Sequence, residues 1–219
     1  MFWGHGLQRR TGPCSGVLGL LLDGDISDCS GRGNHLVQFP ARFAAGRNGV
    51  GRGLVFDGFF SCSLVQNDPG DRGFPSWFPL FSGSDEVTSR VSMAVWAKPT
   101  SVLQGRRVDL VTYAGPVGLK IVNGRAKCLC ARSSVLAAHV WRHVACTVGP
   151  MAEVKLFVNG TMVEHCTQSP DGFGYQPGFD VRVELGGSYV GGQFFDGILD
   201  EVFLDSRILT GDEVLALML

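Results

Sequence analysis

Charge is scarce in this chain. Only 18% of its residues are Asp, Glu, Lys or Arg, so long solvated helices are not expected. The net charge of -1 supplies no field to attract nucleic acid or acidic lipid. The densest basic pairs, Arg9-Arg10 and Arg106-Arg107, read as solvated turns. Long apolar runs are missing too. No stretch reaches the ~18 apolar residues a membrane helix needs, which excludes membrane insertion by a helix. The run Val17–Leu22 is short, ends in Asp23-Gly24-Asp25 and has no small-residue cleavage site, so it reads as a first strand, not a signal peptide. On that reading the chain is made in the cytosol and stays soluble.

Catalytic signatures are equally sparse. The chain has no phosphate-cradling P-loop, no HExxH and no serine- or cysteine-hydrolase local signature. A glycosidase needs carboxylates flanking the scissile bond. Asp180 and Glu184 are spaced to share a strand face, but no third carboxylate joins them. No enzyme activity is expected, with glycan cleavage dependent on Glu184 as the outlying alternative.

Cysteine is present but unpatterned. Cys14, Cys29, Cys62, Cys128, Cys130, Cys146 and Cys166 make an odd count of 7, and no spacing reads as a zinc ribbon. Cys128 and Cys130 share a face if their segment is a strand. They read as small buried hydrophobes, since a disulfide framework would require an oxidising compartment.

What the chain does have is glycine and apolar residues. Hydrophobic residues make up 45%, enough for a sizeable core, and 31 glycines are spread along the chain as turn signals. Strand candidates are Leu54–Phe56, Phe59–Val65, Val91–Ala97, Arg107–Tyr113, Val117–Val122, Ala126–Ala131, Trp141–Val148, Glu153–Val158, Thr161–Cys166, Val181–Leu185 and Gln193–Leu204. Asp57-Gly58 reads as a hairpin or bulge, and Asn123-Gly124 and Asn159-Gly160 as two-residue hairpin turns, where Asn and Gly tolerate positive φ best. Asn159-Gly160-Thr161 also spells a glycosylation sequon; the turn reading is preferred because no signal peptide is evident. Thr210 followed by Glu213 is a capping-box pattern that starts a short helix running to about Met218. Many short strands with no βαβ alternation predict one all-β domain, a two-sheet antiparallel jelly-roll sandwich with a short C-terminal helix. Residues 1–16 form an N-terminal arm ahead of the domain at 17–219.

The order of local motifs resembles the laminin-G-like jelly rolls of the concanavalin A-like lectin and glucanase family. Asp28-Cys29-Ser30-Gly31-Arg32-Gly33-Asn34 is similar to their early loop, and Gly53-Leu54-Val55-Phe56-Asp57-Gly58 to the strand that follows. Val91–Trp96, Trp141-Arg142-His143-Val144-Ala145, Lys155–Gly160 and Gly197–Val202 with Arg207-Ile208-Leu209 resemble the later strands in family order. Residues 67–87 look like an insertion. The resemblance implies a fold that hosts lectins, adhesion modules, enzyme domains and viral structural proteins, so it does not fix a function.

Asp200 is the most informative residue. Alternation places Ile198, Asp200, Val202 and Leu204 on one face, which is then buried. A carboxylate there needs N–H donors or a cation. In one reading Asp200 accepts backbone N–H groups from the 28–34 loop. In the other, Ca2+ sits between Asp200, Asp28 and loop carbonyls such as that of Gly33, since oxygen-only ligands suit Ca2+. Trp96, Trp141 and His143 read as buried or half-buried sheet residues and not as a sugar platform or catalyst.

For partner contacts the candidates are Phe2 and Trp3 in the arm, Phe74, Trp77, Phe78 and Phe81 in the insertion, and Tyr189 as a sugar-stacking ring. The first functional expectation is a virion component, a capsid-decoration or tail protein that contacts other virion subunits or further copies of itself in a homo-oligomer, with free thiols tolerated in a reducing cytosol. The alternative is a carbohydrate-binding lectin or adhesion module for surface glycans.

Overall fold

A computed structural model of the chain describes residues 18–30, 34–38, 42–59, 63–65, 90–113, 117–149, 153–167, 183–187 and 194–219. The strands are β1 (Leu18–Leu20), β2 (Leu36–Gln38), β3 (Arg42–Ala45), β4 (Arg52–Asp57), β5 (Ser63–Val65), β6 (Val91–Pro99), β7 (Arg107–Tyr113) and β8 (Val117–Val122). They continue with β9 (Arg125–Cys128), β10 (Ala131–Val135), β11 (Arg142–Val148), β12 (Glu153–Val158), β13 (Thr161–Thr167), β14 (Val183–Leu185) and β15 (Asp196–Asp205). A 3-10 turn spans Arg47–Gly49, and helix α1 spans Gly211–Ala216.

The strands form two antiparallel sheets. The first is eight-stranded, in the order β13-β12-β11-β6-β15-β4-β3, with β1 also paired to β15. The second is seven-stranded, in the order β10-β9-β8-β7-β14-β5-β2. Their inner faces meet in a core that includes Leu54, Met93, Val95, Leu119, Ile121 and Val144. The predicted jelly-roll sandwich is the observed fold.

Local signals and long-range pairing part company at one turn. Asn123-Gly124 and Asn159-Gly160 both adopt positive φ and close the expected hairpins. Asp57-Gly58 does not. β4 pairs with β3 and β15 in the first sheet, while β5 pairs with β2 and β14 in the second. The segment therefore crosses between sheets, a choice made by distant partners. β2 and β3, Leu-Val-Gln and Arg-Phe-Ala-Ala, carry no clear alternation, and pairing with β5 and β4 makes them strands.

The helix follows its cap. The Thr210 side chain accepts the Glu213 backbone N–H at 3.2 Å, and Glu213 Oε2 accepts the Thr210 N–H at 2.8 Å. The helix covers the outward face of the first sheet, where Phe157, Ala145, Ala94 and Phe203 are successive cross-strand partners. The alanines between the phenylalanines leave room for Val214 and Leu217, which are buried there with Leu209.

The cysteines correct the sequence reading. Cys128 is bonded to Cys146, linking the two sheets through the core, and Cys130 is bonded to Cys166, joining the β9–β10 turn to the edge strand β13. Their Cα separations are 6.4 Å and 6.2 Å. Leu129 turns the chain at φ 49, so Cys128 and Cys130 serve different partners and do not share one face. Cys29 is disulfide-bonded as well.

Candidate functional site

The early loop holds itself together. Asp28 Oδ1 accepts the Gly19 and Ser30 N–H groups at 3.0 and 2.9 Å; Oδ2 accepts the Ser30 hydroxyl at 2.7 Å and the Asn34 N–H at 3.0 Å. These N–H and O–H donors solvate the buried carboxylate. Gly33 lies outside the described residues, as do Phe2, Trp3, Phe74, Trp77, Phe78, Phe81, Tyr189, Asp180 and the 67–87 insertion.

Asp200 is buried, as expected, but on the other face. A bulge interrupts the β15–β6 register between Asp200 and Phe203, with Glu201 at φ 47. The extra residue resets the alternation. Val202 and Leu204 face the core, while Asp200 projects outward opposite Trp96, which is itself opposite His143. Its donors are the backbone N–H groups of Glu201 at 2.9 Å and Arg47 at 3.4 Å, so it anchors the 3-10 turn and not the 28–34 loop. Among the described residues no trio of His, Cys, Asp or Glu gathers as a metal site.

Asp200, Trp96 and His143 are buried together. The Arg47 guanidinium lies 4.4 Å above the Trp96 ring, whose centroid is 5.2 Å from that of His143. Burial, then the Glu201 charge, pushes the Asp200 carboxyl up to about 7. Burial, then Arg47, pulls His143 down to about 4, so the imidazole is neutral. His143 and Trp96 are buried sheet residues, as the sequence suggested.

The second sheet carries an unanticipated set. Asp109 on β7, Lys120 on β8, Lys127 on β9 and Arg132 on β10 are successive cross-strand partners, on the face away from the core. Arg107 lies two residues from Asp109 on the same face. The row runs from inside to outside. Asp109 and Lys120 are buried, Lys127 is half-buried, and Arg132 and Arg107 are exposed. Lys120 Nζ lies 3.7 Å from Asp109 Oδ1, an ion pair too long for a good hydrogen bond. Burial raises the Asp109 carboxyl and lowers the Lys120 ammonium, and the pair's mutual attraction opposes both shifts. Lys127 is lowered by burial, then by Arg132 and Arg107. Thr112 and Glu184, direct partners on β7 and β14, extend this polar face and are buried.

Like charges placed directly opposite each other destabilise a sheet. Lys120, Lys127 and Arg132 break that rule in a chain whose net charge is -1. Glu164 on β13 accepts the Arg132 backbone N–H. Among the described residues, no carboxylate bridges the Lys127 ammonium or the Arg132 guanidinium. The sequence held a signal for this arrangement. Asn123-Gly124 fixes the register so that Lys120 must face Lys127.

Residues 78–215 match the concanavalin A-like lectin/glucanases superfamily. The chain belongs to this superfamily. No curated protein matches the chain. Among solved structures, this superfamily member is similar to domain 4 of AbnA, an extracellular GH43 arabinanase from Geobacillus stearothermophilus in complex with arabinotriose. That likeness has a TM-score of 0.62 at 18% identity, covering 91% of this chain and 96% of the other. The binding domain of Paraclostridial Mosquitocidal Protein 1 aligns with a TM-score of 0.63 at 17% identity, covering 91% of this chain and 50% of that one. The ligand binding domain of botulinum neurotoxin serotype D, in complex with N-acetylneuraminic acid, gives 0.61 at 12%, covering 92% and 50%. The chain thus spans about half the length of these toxin binding domains. At such identities the likeness establishes the fold alone.

Proposed function

We propose that the chain is a non-catalytic glycan-binding module whose ligand carries anionic groups and docks at the accessible end of the outward face of β7 to β10, at Lys127 on β9 and Arg132 on β10. The row Lys120–Lys127–Arg132 carries this reading. It places like charges in register at the ~4.8 Å strand spacing, with an exposed end a ligand can reach. Lys120 is already offset by Asp109, and retaining Lys127 directly opposite Arg132 is explained if an anion neutralises that pair. Carboxylated or sulfated sugars supply charge at repeating intervals, and arginine pairs well with such oxyanions. The solved relatives in complex with arabinotriose and N-acetylneuraminic acid support a sugar as the ligand class. Asp109, held against Lys120, stiffens the inner end of the row.

The test is binding of the full chain to neutral, carboxylated and sulfated glycans, beside Lys127→Ala and Arg132→Ala. Acidic glycans are expected to bind, weakening steeply with salt, and each substitution to lower affinity about tenfold, the equivalent of ~1.4 kcal/mol. Binding of neutral glycans alone, or binding unchanged in both variants, would overturn the assignment. Turnover lost in Glu184→Gln would revive the glycosidase reading.

The virion component is tested by association with particles. Its premise of free thiols in a reducing cytosol differs from the bonded state of Cys128, Cys130, Cys146 and Cys166. Disulfides are characteristic of oxidising compartments, and we propose that the chain folds in one.

A further inference from the structure

We infer that Asn159 is an N-glycosylation site whose glycan shields the open end of the edge strand β13. Asn159-Gly160-Thr161 is the sole sequon in the chain. It lies at the tip of the β12–β13 hairpin, where Asn159 and Thr161 are both exposed. The side chain is already oriented. Asn159 Oδ1 accepts the His143 backbone N–H at 3.0 Å, and the Asn159 N–H donates to the His143 carbonyl at 2.9 Å. The carboxamide oxygen is thereby turned toward β11, which leaves the amide nitrogen, the atom that carries the glycan, on the other side of the group. The bonded cysteines supply the second, independent observation, because disulfide formation and N-glycosylation share the secretory compartment of eukaryotic cells.

The surroundings give the glycan a task. β13 ends the first sheet, and an unpaired edge is a template for pairing with another chain. Its far half is protected: Glu164 accepts the Arg132 N–H, and Cys166 is bonded to Cys130. Among the described residues, no charge, side-chain bond or disulfide protects the half next to the turn. Thr161, Met162 and Val163 carry no charge, and Met162 and Val163 are 52% and 43% exposed. Leu215 of α1, 51% exposed, adds apolar surface beside the turn, close enough that a Cβ on Gly160 would meet its Cδ1 at 2.7 Å. Lysine or proline commonly blunts such an edge; here a hydrated glycan would do so. The cation row is on the other sheet, so the inference is independent of the ligand proposed above.

The full chain, secreted from eukaryotic cells behind a cleavable signal, is analysed by mass and by light scattering before and after peptide-N-glycosidase digestion. Thr161→Ala is the informative variant, because it removes the sequon and keeps the Asn159 turn and its bonds to His143; Thr161→Ser retains the sequon. Wild type and Thr161→Ser are expected to carry one N-glycan and to be monomeric. Thr161→Ala is expected to lose the glycan and self-associate with retained disulfides. A secreted, disulfide-bonded wild type without glycan would overturn the site, and a monomeric Thr161→Ala would overturn its shielding role.

Discussion

Lys120 and Lys127 face each other directly across β8 and β9, on the side of the sheet turned away from the core. Their charges are paid for in stability, and relief is measurable. Lys127→Thr should raise the unfolding free energy by about 0.5 kcal/mol while weakening acidic-glycan binding. The wild type should also gain stability with salt more than the variant does. Chemical denaturation at low and high ionic strength reads both effects.

The Cys128–Cys146 bond closes a separation of 18 residues between facing sheets. In the chain-entropy account a loop of this size contributes about 3 kcal/mol. The double substitution Cys128→Ala/Cys146→Ala should therefore lower the melting temperature by several degrees or more, as should reductant. Two free thiols at Cys128 and Cys146, read by mass after alkylation of the unfolded, unreduced chain, would show that the bond does not form in solution.

Asp200 and His143 oppose each other in pH dependence. The Asp200 carboxyl is raised from 3.8 to about 7, so the folded state binds a proton that the unfolded state has released. Its contribution is present below about 4 and is lost as pH rises to about 7, worth at most about 4 kcal/mol. His143 is lowered from 6.5 to about 4, so the unfolded state binds the extra proton, and stability is lost as pH falls from 6.5 to 4. The two slopes largely cancel between 4 and 6.5. Asp200→Asn should uncover the histidine slope, making stability rise with pH across that window, and His143→Gln should uncover the reverse. Urea denaturation at pH 4, 5.5 and 7.5 separates the signs.

The donors around Asp28 and Asp200 are backbone N–H groups and a serine hydroxyl. EDTA is expected to leave the melting temperature unchanged, and calcium to raise it by no more than a degree. Asp28→Ala, in contrast, should cost 2 kcal/mol or more on the order of its lost buried hydrogen bonds. A large stabilisation by calcium would support the cation reading of the early loop.

Much of the architecture was legible locally. Alternation and turn residues located β7, β8 and β12 at their observed bounds, and Thr210 with Glu213 announced the start of α1. Asp200 was legible as a buried carboxylate, although its face was not. The bulge at Glu201 inserts a single residue, and nothing in Asp200-Glu201-Val202 signals it because the bulge answers to pairing with β6. The row Asp109–Lys120–Lys127–Arg132 was half legible. The Asn123-Gly124 turn determines the Lys120–Lys127 pair, whereas Asp109 joins through a register shifted between Asp109 and Val111.

The sequence by itself determined the all-β sandwich, its hairpins, its helix cap and its membership of a jelly-roll family. These depend on periodicity, on positive-φ turns and on hydrogen bonds between near neighbours, all written within a few residues of chain. Only the tertiary structure decided which sheet each side of Asp57-Gly58 joins, which cysteines bond, which way Asp200 points and what lies opposite Lys127. Those outcomes belong to pairs of segments distant in sequence or to register offsets of a single residue. A strand of period two reverses its faces with one such offset, so composition and spacing cannot carry that information.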